Sequence, residues 1–300
     1  LDLANNVIAN NVNQYKKTLK TLKSTGVLPE LQPKMDQFSE ATFVADKIKK
    51  SIDDGVAPHE LAVLFRASHH SQLLEMELVK RGIAYDYRGG LRFFERAHVK
   101  DLLAYLRLLH NPSDSTAWFR VLLKEDGIGP VAAQKLTDAI RQLSSRAESV
   151  DRRTESKDPL DLELQGISPL AKELGRNDTF TAEIEKTGLQ ILGKKAKNGW
   201  KNFMQIWKKI IGVGKDNPSA VAKAVLSSNY MEYLESEYVD ARERKQDLEQ
   251  LAVFAEQYDS MERFLAEATL QESFGRINAK NTQVDKAKKV VLSTIHQAKG

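Results

Sequence analysis

A short glycine-containing segment is the part of this sequence best suited to bind phosphate. Gly127, Ile128 and Gly129 stand just before Pro130, and apolar residues at helical spacing follow. Glycine adopts backbone conformations closed to other residues, and proline fits the first turn of a helix. The segment therefore predicts a tight turn that opens a helix containing Lys135, with free amide groups suited to a phosphate oxygen. This pattern is typical of a helix-hairpin-helix, which contacts a nucleic-acid backbone, although an ordinary helix-to-helix turn explains it equally well.

A basic segment further along the chain could also bind phosphate. Between positions 188 and 223, eight lysines stand against one acidic residue, Asp216. In one interpretation the lysines contact phosphates and the rings of Trp200, Phe203 and Trp207 lie near bases. In the other, the rings form a core and the lysines a solvated face. The helical spacing of the three rings favours the core for the rings themselves.

The sequence offers no set of residues for catalysis. The run from Gly212 to Asp216 lacks the earlier glycine and the Ser or Thr after its lysine that a phosphate loop needs. The histidines show no metal-ligand spacing, and there is no cysteine nucleophile. We therefore predict neither a catalytic residue nor a metal site, and no bond-making chemistry by this chain alone.

The elements around these residues predict an α/β fold. A buried parallel strand is expected within 61–68, a second strand within 83–88 and a helix over 95–110. From about 113 to 281 the pattern predicts only helices and loops, and a strand pattern then returns at Val290 to Leu292. The chain is thus predicted to be an α/β domain, part of a parallel sheet, interrupted by an all-helical insertion.

Two less regular segments complete this prediction. The N-terminal residues 1–22 are expected to form one helix, since their apolar residues lie near one helical face. The polar residues 144–157 are expected to form a mobile loop.

Composition bounds the class of protein. The chain has 300 residues, enough for a sizeable core, and a net charge of +4, which permits an anionic partner without demanding one. The absence of cysteine excludes disulfides and suits a reducing compartment. The sequence has neither an apolar run long enough to span a bilayer nor a signal pattern at its start.

Three stretches together resemble one family, the UvrD/Rep/PcrA helicases of superfamily 1. The strongest match is GGLRFFERAHVKDLLAYLRLL, from Gly89 to Leu109. The strand and helix before it, LAVLFRASHHSQLLEMEL, resemble the preceding elements of those proteins. The last eight residues, STIHQAKG, resemble the start of the family's motif V. The glycine segment at 127–129 stands where the family's helical insertion carries a duplex-gripping loop.

The resemblance implies a RecA-like fold and a domain organisation. Residues 1–109 would be the first part of the second RecA-like domain, 110–285 its helical 2B-like insertion, and 286–300 the return strand with the start of motif V. The chain would be a fragment that ends inside motif V and lacks the first RecA-like domain, with its phosphate loop and magnesium-binding acidic pair.

The resemblance also implies a function. The family hydrolyses ATP between two RecA-like domains and moves 3′ to 5′ along single-stranded DNA. This chain alone is expected not to hydrolyse ATP, so ATP and Mg²⁺ would serve the intact parent and neither would be bound here. The expected partners are single-stranded DNA, a duplex junction, the first RecA-like domain and possible repair or replication proteins, with no membrane. The expected location is the cytoplasm of a bacterium or archaeon, associated with the nucleoid.

The resemblance assigns site residues in three groups. Contacts to the single strand are expected from Arg66, Ser68, Thr294 and His296. Contacts to the duplex are expected from Gly127, Ile128, Gly129 and Lys135. Coupling to the nucleotide is expected from Lys299 and Gly300.

Some residues depart from the family pattern or have two interpretations. The family often has Asn at the position of Ser68, Arg at that of Gln72 and an acidic residue at that of His98. Phe93 and Phe94 are expected in the core, and the two arginines that flank this region, Arg92 and Arg96, either pair with acidic neighbours or face the cleft.

Two other functions remain open at this point. A regulatory or protein-interaction module of a helicase-like protein is the main alternative, since the insertion surface could bind proteins instead of DNA. A subunit of a nuclease-helicase is weaker, because no cluster of nuclease carboxylates is found.

Overall fold

The computed structural model describes residues 1–12, 18–21, 26–88, 90–155, 169–280 and 288–299. The chain forms two compact units, Leu1–Glu40 and Ala41–Gly300. In the first unit, helix α1 spans Asp2–Ala9 and buries none of its residues. The side chain of Asn5 accepts a hydrogen bond from the backbone amide of Leu19 (2.8 Å) and donates one to its carbonyl oxygen (3.0 Å).

The expectation of one helix over residues 1–22 is therefore wrong. The described residues after Asn10 in this segment, 11–12 and 18–21, are not helical. Asparagine side chains compete for backbone hydrogen bonds and favour helix ends, and four of them lie between positions 5 and 11. The side chain of Asn5 thus forms hydrogen bonds with the backbone of Leu19, beyond the end of α1.

Three short parallel strands form the sheet: β1 spans Ala62–Phe65, β2 spans Tyr85–Arg88, and β3 spans Val290–Thr294. Their order is β1-β3-β2, with Ala62 opposite Val291 and Tyr85 opposite Val290. The last strand along the chain thus lies between the two earlier ones. The predicted parallel sheet, with a return of the chain to it, is confirmed.

Burial in the sheet is uneven. Val290 and Leu292 of the central strand are fully buried, as their apolar side chains require. Strand β1 was expected to be buried as well, and that expectation is wrong for most of it. Leu64 is 53% exposed, and only Phe65 is buried. Among the described strands β1 is an edge, so it has a neighbour on one side only.

Helix α2 (Gln37–Asp53) precedes β1 along the chain, α3 (Gln72–Lys80) lies between β1 and β2, and α4 (Ala97–His110) follows β2. A short 3₁₀ turn, Phe93–Glu95, precedes α4 and places Phe93 and Phe94 in the core, as predicted. Glu75 of α3 joins these elements because it accepts hydrogen bonds from the Tyr85 hydroxyl (3.0 Å) and the Phe93 amide (3.3 Å). Burial raises the pKa of Glu75, although Arg96 and these hydrogen bonds oppose the rise.

The described residues between 111 and 280 contain helices and no strand, as predicted. The helices are α5 (Ser115–Leu122), α6 (Pro130–Glu155), α7 (Pro169–Ile191), α8 (Lys197–Val213), α9 (Pro218–Leu226), α10 (Tyr230–Glu237), α11 (Ala241–Ala255) and α12 (Met261–Lys280). Side chains cap three of them: Asp114 accepts from the Ala117 amide and Asn217 from the Ala220 amide, both at 2.9 Å, and Ser260 accepts from the Arg263 amide at 3.3 Å. No helix in the described ranges is both long and apolar enough to cross a bilayer.

The prediction of a mobile loop over 144–157 is wrong for residues 144–155, which are part of α6. Residues 144–155 contain no glycine or proline and several good helix formers, so nothing in them stops the helix. Residues 156 and 157 lie outside the described part of the chain.

A cluster of aromatic rings forms the core of the helical region. Trp200, Phe203 and Trp207 of α8 are at most 2% exposed, and Trp118 of α5 packs against two of them with ring centroids 5.3 Å apart. A Cβ built on Gly188 would lie 2.0 Å from the Trp200 ring, so only glycine admits this packing. The prediction that these rings are core is confirmed.

Candidate nucleic-acid interface

One candidate interface lies at the carboxyl ends of β1 and β3. Phe65 and Thr294 are partners across the two strands, and the Ile295 amide donates to the Phe65 carbonyl oxygen at 2.9 Å. Residues just past these ends are therefore close neighbours. The structure brings together the four predicted single-strand contacts at this edge: Arg66, Ser68, Thr294 and His296. In open parallel sheets, ligands commonly bind outside the carboxyl ends of the strands.

Arg66 and His296 are in direct contact. The guanidinium Nη1 of Arg66 lies 3.2 Å from Nδ1 and 3.3 Å from Nε2 of the His296 ring, and both side chains are exposed. A neutral imidazole has one nitrogen that accepts, so it can take a hydrogen bond from the guanidinium. The contact places a permanent positive charge beside a flat ring at the surface of the sheet edge.

The hydroxyl residues at this edge shape the turns. Thr294 Oγ1 accepts a hydrogen bond from the Gln297 amide at 3.3 Å, at the start of the 3₁₀ turn Gln297–Lys299. Ser68 is half-buried and begins the 3₁₀ turn Ser68–Ser71, where its carbonyl oxygen accepts from the Ser71 hydroxyl at 2.8 Å. Gly300 and the side chain of Lys299 lie outside the described residues, so the expectation of nucleotide coupling stays a prediction.

The glycine turn forms a second cluster, between α5 and α6. Gly127 has a φ of +73°, and the Ala133 amide donates to the Gly129 carbonyl oxygen at 2.9 Å as α6 begins. The predicted tight turn opening a helix at Pro130 is therefore present. Gly129 and Lys135 are exposed.

Ile128 has a different position from its neighbours. Its side chain is 4% exposed, and its amide donates to the Glu125 carbonyl oxygen at 3.1 Å. The residue therefore anchors the turn in the apolar interior, and the flanking glycines form the accessible part. The adjoining Glu125 is also buried, and burial raises its pKa to about 8, against a hydrogen bond with Asn202 that acts to lower it.

The glycine turn packs against the segment that precedes α8. A Cβ built on Gly127 would lie 2.5 Å from the Lys195 carbonyl oxygen, and one built on Gly199 would lie 2.3 Å from the Asp126 carbonyl oxygen. Each glycine thus admits the backbone of the other segment at a distance that a side chain would block.

The sequence did not reveal a buried carboxylate, Asp247 of α11, that joins α11 to α3 and α4. Its Oδ1 accepts from Gln72 Nε2 at 2.6 Å, and its Oδ2 lies 2.5 Å from Arg96 Nη1 and 2.8 Å from His98 Nε2. Burial acts to raise the pKa of Asp247, but the hydrogen bonds from His98 and Arg96 outweigh burial and hold that pKa below its usual value.

Two departures from the family pattern, Gln72 and His98, meet at this carboxylate. These two departures were the signal in the sequence for this cluster, since the resemblance implies a charged residue at each position. Arg96 takes the pairing expected as one of its two alternatives. Arg92 instead donates from Nη2 to the Tyr85 carbonyl oxygen at 2.9 Å and stacks over the Tyr85 ring.

The run from Gly212 to Asp216 is not a phosphate loop in the structure either. It forms the end of α8, where Gly214 has a φ of +94° and its amide donates to the Ile211 carbonyl oxygen at 3.1 Å. A phosphate loop instead follows a strand. Within the described residues no group of three or more His, Asp or Glu side chains is placed to hold a metal ion.

Comparison with known proteins identifies the family. The family model for the UvrD-like helicase C-terminal domain matches residues 1–300. The ATP-dependent DNA helicase PcrA of Bacillus subtilis is 26% identical over 314 residues, which cover 100% of this chain and 38% of that protein. DNA helicase II of Escherichia coli is 38% identical over 145 residues, 48% of this chain and 20% of that protein. The chain thus spans less than two fifths of these relatives, and it belongs to the UvrD-like helicase C-terminal domain family.

Proposed function

We propose that this chain is part of an ATP-dependent DNA helicase that moves 3′ to 5′, and that it supplies part of the single-strand track and a duplex contact. The observation that carries the proposal is the convergence of Arg66, Ser68, Thr294 and His296 at one edge of the sheet. The names of the relatives support it, since PcrA and DNA helicase II are DNA helicases.

The chemistry of the sheet edge suits the backbone of a single strand. A guanidinium has five N–H donors, and the contact with His296 uses only part of them, which leaves donors for phosphate oxygens. The imidazole ring offers a flat face for a base. Contacts of this kind position a strand without reading its sequence, as a translocating protein requires.

The site of nucleotide hydrolysis is part of the same proposal. The glycine-lysine run that evokes a phosphate loop lies at the end of a helix, and the described residues contain no group of three or more His, Asp or Glu side chains placed to hold a metal ion. We therefore propose that nucleotide hydrolysis needs a further domain, with Lys299 and Gly300 on the path that couples this chain to it. The domain boundaries at 109 and 285, with a 2B-like insertion between them, belong to the same proposal, as do repair or replication partners.

Substitution of Arg66 tests the single-strand track. We expect Arg66→Ala to weaken the binding of a labelled single strand by the 300-residue chain, because one phosphate contact is lost. The slope of log K against log salt should become less steep by about 0.7. Fluorescence anisotropy at several salt concentrations measures both quantities.

Arg263→Ala is the matched control. Arg263 is also exposed, pairs with Asp259 at 2.9 Å and lies in the first turn of α12, outside the strands and the turns that follow them. Equal effects of the two substitutions on the salt slope would contradict the proposed track. If the unaltered chain binds no single strand, blunt duplex or duplex with a 3′ tail at low salt, the interaction-module alternative becomes the better explanation.

A further inference from the structure

Three lysines without an acidic partner lie in the segment that packs against the glycine turn. Lys194 and Lys195 stand on the 3₁₀ turn Lys194–Ala196, and Lys197 is the first residue of α8. Lys194 and Lys195 are exposed, Lys197 is half-buried, and in the described part of the chain none of the three has an acidic partner within ion-pair distance. We name Lys194, Lys195 and Lys197 the lysine turn.

Three other lysines of the same basic segment are neutralised or engaged, whereas Lys201 of α8 is exposed and has no acidic partner among the described residues. Lys208 pairs with Glu185 at 2.8 Å, Lys223 pairs with Glu256 at 2.5 Å, and Lys209 Nζ donates to the Ser227 carbonyl oxygen at 2.5 Å. The side chains of Lys208 and Lys223 are 53% and 57% exposed, so exposure does not separate the two groups. The two groups differ in whether they have a partner. The positive charge without a partner is concentrated at the beginning of α8.

Backbone packing fixes the lysine turn next to the glycine turn. The carbonyl oxygen of Lys195 lies close to Gly127, and that of Asp126 lies close to Gly199. The two segments are therefore in contact at two points. A hydrogen bond between buried Glu125 and Asn202 of α8 is a third contact between the two segments. Asp126 is exposed at the near end of the glycine turn, so the positive charge belongs to the lysine side of this surface.

We infer that the lysine turn and the glycine turn form one surface for the phosphates of duplex DNA. This inference rests on the proposed function and adds three residues to its duplex contact. The glycine turn offers a close backbone approach, and the lysines supply the charge that the glycines lack. A lysine that neutralises a phosphate releases a bound counterion, so its contribution is visible as salt dependence.

The test compares two triple variants with the same change in charge. The first carries Lys194→Gln, Lys195→Gln and Lys197→Gln, and the second carries Lys208→Gln, Lys209→Gln and Lys223→Gln. Anisotropy of a labelled blunt duplex is measured with the 300-residue chain over a range of salt concentrations. We expect the slope of log K against log salt to fall by about 2 to 3 in the first variant and by less than about 1 in the second.

A Gly129→Val variant separates the failure of this inference from that of the proposed function. A Cβ at Gly129 meets nothing within 4 Å, so the substitution changes the surface and leaves the packing intact. If Gly129→Val weakens duplex binding and both triple variants have the same slope, the duplex contact stands and the lysine turn is excluded from it. If the lysine turn matters and Gly129→Val has no effect, the shared surface is wrong. Absence of duplex binding by the unaltered chain overturns both.

Discussion

Gly127 and Gly129 are two residues apart and serve different purposes. Gly127 has a left-handed backbone and lies against the carbonyl group of Lys195, so both its conformation and its neighbour exclude a side chain. Gly129 has no positive φ, and the space around it is open. Only the first glycine is therefore required by the fold, and the second is available for a surface role.

Alanine substitutions should separate these two roles. We expect Gly127→Ala to lower the free energy of unfolding by about 2 kcal/mol or more, from backbone strain and from displacement of the Lys195 segment. Gly129→Ala should change it by less than about 1 kcal/mol, since its backbone suits alanine. Urea unfolding followed by circular dichroism measures both values. Similar losses for the two variants would contradict the assigned packing.

Glu125 makes the stability of this region depend on pH. Burial raises its pKa to about 8 in the folded chain, while the carboxyl of an unfolded chain titrates near 4.5. The folded state therefore holds its proton over a range in which the unfolded state loses it. The stability associated with this group is complete below about pH 4.5 and is lost as the pH rises towards 8.

Glu125→Gln should remove this dependence, because glutamine keeps the shape and does not ionise. We expect the variant to gain stability over the unaltered chain as the pH rises from 5 to 8, by an amount on the order of a few kcal/mol. Urea unfolding at pH 5, 6.5 and 8 gives the difference. A difference that stays constant across this range would show that Glu125 titrates normally in the folded chain.

At the scale of elements, Asp247 fixes α11 to α3 and α4. Arg96 and Asp247 have side chains only 12% and 6% exposed, so each charge depends on the other for compensation. His98 also contacts Arg244 of α11 through its second ring nitrogen, at 3.0 Å from Nη1. The polar contacts between these helices therefore converge on one carboxylate and one imidazole.

Removal of this carboxylate should be costly. We expect Asp247→Ala to lower the free energy of unfolding by about 3 to 5 kcal/mol, since it leaves the Arg96 charge buried and unpaired. Asp247→Asn keeps the volume and part of the hydrogen bonding, and should cost less. Asp259→Ala is the control, because its ion pair with Arg263 is exposed and such pairs contribute little. Equal losses for Asp247→Ala and Asp259→Ala in urea unfolding would contradict the role of Asp247.

At the scale of the whole molecule, local patterns predicted much of the fold. Apolar runs indicated the parallel strands, ring spacing indicated the core of Trp200, Phe203 and Trp207, and Gly-Pro chemistry indicated the turn at 127–130. What the sequence did not reveal depends on partners distant along the chain. Asp247 is about 150 residues from His98, and Lys195 is about 70 residues from Gly127, so no local window contains both members of either pair.

The position of β3 has a consequence for the order in which the molecule can assemble. Strands β1 and β2 do not pair with each other, and both depend on a strand that is synthesised about two hundred residues after Arg88. Until then each has two open edges, a state that invites wrong pairing. The helices between β2 and β3 are held mainly by contacts between elements near each other in the chain, so they can form first. Bringing β3 to β1 and β2 across about two hundred residues is slow. On the ribosome the helical region can therefore form before β3 is available, and the edge at which β1 and β3 end is completed only when β3 pairs with β1.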